Sequence, residues 1–175
     1  MGAYKFELLN RDMWTKEIME CNRRTEKFGL TLSEEDAELL VAEKCDVLRQ
    51  TGRIEFGQSI ITQIIYAFCD SNYITQENFL DVLLRLQEIF FEYKSEMNDE
   101  ISDEELLSYM RQQFDERCCG DLDCLESTCL SILSEAVRSG YIGYRIKQGD
   151  DIPEEMDILQ RWDRGLYLEA LENLQ

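Results

Sequence analysis

Apolar residues are densest between Gly52 and Tyr93, and the rest of the chain is expected to pack around that stretch. Ile60, Ile61, Ile64, Ile65 and Phe68 recur at i, i+1, i+4, i+5 and i+8, a stripe two residues wide that predicts a helix over 58–68 facing a core. After the turn Cys69-Asp70-Ser71-Asn72, Thr75 is placed to cap a second helix over 76–93. Its apolar positions, Phe79, Leu80, Leu83, Leu84, Leu86, Phe90, Phe91 and Tyr93, leave only a narrow polar edge, so this helix should be central.

Upstream, Tyr4, Phe6 and Leu8 alternate with Lys5 and Glu7, a strand pattern. Asp12 then reads as the cap of a helix whose face is Trp14, Ile18, Cys21, Thr25 and Phe28, closed by Gly29. Ser33 with Asp36 has the spacing of a capping box, and Leu32 can staple onto Ala37. Ala37, Leu40, Val41, Lys44 and Leu48 trace the face that follows, and Gly52 suits the left-handed position beyond it. Glu34, Glu35 and Asp36 fall in the first turn, where carboxylates offset the helix dipole.

Downstream, Ser102 and Glu105 repeat the capping pattern ahead of Leu106, Leu107, Met110 and Phe114. Gly120 and Asp121 divide that helix from another carrying Leu122, Leu125, Cys129, Ile132, Leu133, Ala136 and Val137. Residues 141–146 are strand-like and are expected to form a two-stranded ladder with residues 4–8. Pro153 opens a last helical stripe, Ile152, Met156, Leu159, Trp162, Leu166, Ala170 and Leu174. The expected architecture is a mainly α single-domain bundle of six or seven helices, with a core domain over 1–148 and a helical extension over 149–175.

Composition adds limits. A chain of 175 residues can bury roughly 70% of its unfolded surface, and 44% hydrophobic content is that of a globular protein. The single proline suits helices. With 37 acidic and 18 basic residues, the net charge of -19 repels phosphate backbones and anionic lipid, so neither nucleic acid nor membrane is expected as a partner. The first residues lack an apolar signal region and no run is long enough to span a membrane, which points to a cytoplasmic protein. Seven cysteines, an odd count without a regular framework, read as reduced thiols.

Three motifs invite chemistry. Gly52-x4-Gly57-Gln58-Ser59 lacks the lysine of a P-loop, and Glu55 sets a carboxylate where the anion would lie. Asp70-Ser71-Asn72-Tyr73-Ile74-Thr75 echoes a calcium-binding loop but lacks its charge and its bidentate glutamate, so it reads as an interhelical turn. Cys118, Cys119, Cys124 and Cys129 put four thiols in twelve residues, enough in number for zinc or a cluster, without the C-x2-C knuckle. On an α-helix Cys124 and Cys129 lie about 140° apart, which argues against a shared ligand, and buried small apolar cysteine is the commoner role. Asp121, Asp123 and Glu126 further oppose a thiolate at Cys124. No histidine exists to serve as ligand or general base, so no cofactor is expected.

Thr51-Gly52-Arg53-Ile54-Glu55-Phe56-Gly57, then Ala67-Phe68-Cys69-Asp70-Ser71-Asn72-Tyr73-Ile74 and Ser102-Asp103-Glu104-Glu105-Leu106, resemble an uncharacterised family of small acidic bacterial proteins of unknown function, over about Phe6 to Arg138. The resemblance implies a bacterial cytosolic helical domain and carries no site residue. The functional expectation is a non-enzymatic interaction or regulatory protein that meets a protein partner or a second copy through Trp162, Leu166 and Tyr167. The alternative is a cysteine-based metal-binding or redox protein.

Overall fold

The computed structural model describes residues 2–55, 57–139, 141–142 and 145–146. The chain is a mainly α bundle. Helix α1 runs Gly2–Glu20, followed by a single turn, α2, Asn22–Thr25, and a 3-10 turn, Glu26–Phe28. Then come α3 (Glu34–Thr51), α4 (Ile60–Phe68), α5 (Phe79–Glu96) and α6 (Asp103–Glu116). The last helical rod has three parts: α7 (Leu122–Cys124), a π-helical segment (Leu125–Leu130) and α8 (Ser131–Arg138).

Local chemistry sets these ends. The Ser33 hydroxyl accepts from the Asp36 N–H at 3.1 Å while the Asp36 carboxylate accepts from the Ser33 N–H at 2.9 Å, a complete capping box. Gly52, at φ 65°, ends α3 in the left-handed conformation that costs glycine nothing. Ser102 accepts from the Glu105 N–H at the start of α6.

Helix α5 is central, touching α3, α4, α6 and α7. Its Leu83, Leu86, Ile89 and Phe90 are buried in one continuous core that also holds Leu40, Phe68, Phe114 and Leu125. The Phe68 and Phe114 rings meet edge to face with centroids 5.4 Å apart, tying α4 to α6.

Three expectations need correction. Residues 4–8 belong to α1 and are not a strand, because an alternation this short does not outweigh the helical periodicity that continues through Ile18. The expected ladder with residues 141–146 is not formed either: Tyr141–Ile142 lies antiparallel to Arg145–Ile146, a pairing between near neighbours in sequence. Asp12 is therefore interior to α1, and the helix breaks at Cys21, leaving Phe28 43% exposed.

The second boundary shift is smaller. Thr75 does not cap α5 but sits one turn upstream, where its N–H donates to the Asn78 side chain at 2.8 Å and Asn78 donates to the Tyr73 carbonyl at 3.0 Å. The extension over 149–175, with Trp162, Leu166 and Tyr167, lies outside the described residues.

Candidate functional site

Three segments, each singled out by its residue types, resolve differently. The would-be P-loop is filled by its own side chains. Glu55 accepts from the Ile60 N–H at 2.6 Å, at the N-terminus of α4, and pairs with Lys44, whose ammonium donates to Ser59 at 2.9 Å. A carboxylate thus takes the place an anion would need.

The turn over 69–74 is equally self-contained. Arg111 reaches the Ala67 carbonyl, Asp70 at 2.6 Å and Asp115 at 2.7 Å, and Ser71 donates to Asp115 at 2.6 Å. The Arg111 hydrogen bond holds the Asp70 carboxyl below its ordinary range. An open groove of about 730 Å³ lies between α4 and α6, and Asp70, Arg111 and Asp115 of this network line it.

The cysteines behave otherwise. Helix α6 ends at Glu116, with Arg117 as its C-cap, and Cys119 (φ 50°) and Gly120 (φ 85°) then take two successive left-handed conformations that reverse the chain. That reversal lays Cys118 back over the next helix. Asp121 caps this helix, one carboxylate oxygen accepting from the Asp123 N–H at 2.9 Å and the Cys124 N–H at 3.1 Å.

Immediately beyond, the helix widens. In an i→i+5 hydrogen-bonded segment, residues five apart come about one turn above one another, so Cys124 and Cys129 share a face. The α-helical angle that separated them does not apply. The sulfur atoms of Cys118, Cys124 and Cys129 all lie within 4.8 Å of one another, and Cys118 and Cys129 are 3.6 Å apart. Cys119 is not part of this group: it is exposed and lies beside the Tyr73 hydroxyl.

Several side chains bond to this widened segment. Tyr109 of α6, fully buried, donates to the Cys129 carbonyl at 2.8 Å, and Tyr93 of α5 donates to the Glu126 carbonyl at 2.7 Å. The Ser127 hydroxyl donates back to the Asp123 carbonyl at 2.5 Å, a bond that competes with regular helix. Arg85 pairs with Glu126 and lies 3.8 Å from Asp123. Neither tyrosine announced this role in the sequence, but the polar Glu126-Ser127-Thr128 interrupting an apolar helix was a usable signal.

Burial pushes the Cys118 thiol well above the ordinary thiol range, with the neighbouring Cys124 and Cys129 adding to it. Burial also raises Cys129. Burial thus favours the protonated form of Cys118 and Cys129, and a thiophilic ion would have to displace those protons.

A family model described as a family of unknown function (DUF6323) matches residues 17–143. The chain belongs to DUF6323. The match takes in α2 through α8 and so contains all three clustered cysteines. No curated protein and no solved structure matches the chain. Among the described residues of this DUF6323 protein, no helix is long and apolar enough to cross a membrane.

Proposed function

We propose that this protein binds a thiophilic metal or metalloid ion through Cys118, Cys124 and Cys129, as a sensor or carrier and not as an enzyme. One observation carries the reading: three sulfurs from two sides of a chain reversal converge within 4.8 Å. Sulfurs bound to one ion through ~2.3 Å bonds sit ~3.8 Å apart, so closure by at most about 1 Å would bring all three to ligand spacing. The donor chemistry fits as well, since thiolates select soft ions from harder ones.

Two further features agree with this. All seven cysteines are free, as the reducing cytosol of a bacterium would keep them. A net charge of -19 attracts cations.

The test is elemental analysis of protein purified without chelator, followed by Cd(II) titration read through thiolate-to-metal absorption. One equivalent is expected, lost in Cys124→Ser and kept in Cys119→Ser. A flat titration with seven freely reacting thiols would remove the proposal.

A further inference from the structure

Resting on that reading, we infer that the site is three-coordinate and all-sulfur, and that the hydroxide of trivalent arsenic or antimony is the ligand class it takes best. Among the described residues no fourth cysteine, histidine or carboxylate joins the three sulfurs. The chain contains no histidine, and among the described residues only Cys118, Cys124 and Cys129 form such a group. Cys119, the remaining thiol of the run, is exposed and lies beside Tyr73.

The nearby oxygens are engaged elsewhere. Asp121 is committed to the helix cap, Glu126 to Arg85, and the Tyr109 hydroxyl to the Cys129 carbonyl. A zinc ion, which favours four protein ligands in closed sites, would be left with an open position.

Charge separates the remaining candidates. Three thiolates on a monovalent ion carry two net negative charges, and on a divalent ion one. Here Cys118 is 6% and Cys129 2% exposed, and Asp121, Asp123 and Glu126 follow in the same short stretch, so net negative charge is costly. The trivalent centre avoids that cost. As(OH)3 with three R–SH gives As(SR)3 and three H2O: three As–O and three S–H bonds break, three As–S bonds form, and each thiol proton leaves on a hydroxide as water. No electron is transferred and the product is neutral.

The experiment uses the full chain, with arsenite, Zn(II) and Cu(I) as separate probes, native mass spectrometry, and counting of reactive thiols. Arsenite is expected to add one arsenic with loss of three hydrogens and to mask three thiols. Cys124→Ser should lower arsenite affinity at least tenfold, while Cys119→Ser and Cys45→Ser leave it unchanged. X-ray absorption at the arsenic edge should show three sulfurs.

Zn(II) or Cu(I) binding at Cys118, Cys124 and Cys129 more tightly than arsenite, or a fourth ligand in the absorption spectrum, would overturn this inference and leave the metal-binding reading standing. Failure of arsenite, Zn(II), Cu(I) and Cd(II) alike would end both. Circular dichroism of each serine variant identifies any that lose the fold, and Cys124→Ala then replaces Cys124→Ser.

Discussion

The Lys44 ammonium lies 4.1 Å from the centroid of the Trp14 ring, joining α3 to α1 through a charge that is 1% exposed. Its other contacts are Glu55 and Ser59, so the ammonium is held by an ion pair, a hydroxyl and an aromatic face. Removing one partner of such a group strands the other. Lys44→Met is expected to cost about 3–5 kcal/mol in urea unfolding, and Lys44→Met with Glu55→Leu to recover part of it. A double variant no more stable than the single would mean that packing around Trp14, and not the stranded carboxylate, sets the cost.

Glu43 gives a pH dependence. The Gln87 amide donates to the Leu40 carbonyl at 3.2 Å and reaches the Glu43 carboxylate at 3.4 Å, while the Gln87 Oε1 is buried without a partner among the described residues. Burial, with Glu88 and Asp46 adding to it against the Gln87 hydrogen bond, pushes the Glu43 carboxyl up from 4.5 to about 7. The folded state then holds this proton more tightly than the unfolded state does. Its contribution is complete below 4.5 and is lost as pH rises toward 7. Glu43→Gln should flatten this decline by roughly 1–3 kcal/mol, read from unfolding midpoints at about pH 5 and pH 8. Parallel curves for the two proteins would contradict the assignment.

Tyr109→Phe removes the hydroxyl that donates to the Cys129 carbonyl. A stability loss of about 1–3 kcal/mol is expected. Cd(II) affinity should fall on the order of tenfold, equal to ~1.4 kcal/mol, as the segment relaxes and the sulfurs separate. Unchanged affinity alongside the stability loss would make Tyr109 a core residue only.

Gly120 is constrained twice. Its φ is 85°, and a Cβ there would meet the Cβ of Tyr73 at 2.6 Å. Gly120→Ala should cost about 2–4 kcal/mol from backbone strain and overpacking together, and displace Cys118 from the other thiols. Thermal melts and the Cd(II) titration read the two effects separately.

The apolar stripe that includes Trp162, Leu166 and Tyr167 is expected to mediate association. Deleting Pro153 to Gln175 should abolish it with the helical signal per residue unchanged, as judged by light scattering and circular dichroism. A truncated chain that unfolds would make the stripe part of the core.

Most of the helical bundle was legible because its signals are local and agree with one another. Ser33 with Asp36, Gly52, Ser102 and Asp121 mark helix ends through bonds to residues two to four positions away, and the Ile60 to Phe68 stripe is unambiguous. Where evidence was short or competing, the reading failed: Tyr4, Phe6 and Leu8 offered three alternating positions against a longer helical pattern. The thiol site was hidden for another reason. Its residues were visible, but the angle between Cys124 and Cys129 was taken from α-helical geometry, and the widened segment bonds to Tyr93 and Tyr109, which are distant in sequence.

Those two tyrosines stand on different helices and grip carbonyls three residues apart in one short segment. The cluster and the α5–α6 contact therefore share a single mechanical linkage. If the proposed ion binds, linkage requires that any tightening of α5 and α6 by the ion be matched by an equal effect of those helices on the ion's affinity. Occupancy could thus be felt on the far side of the bundle without any part of the ligand reaching it.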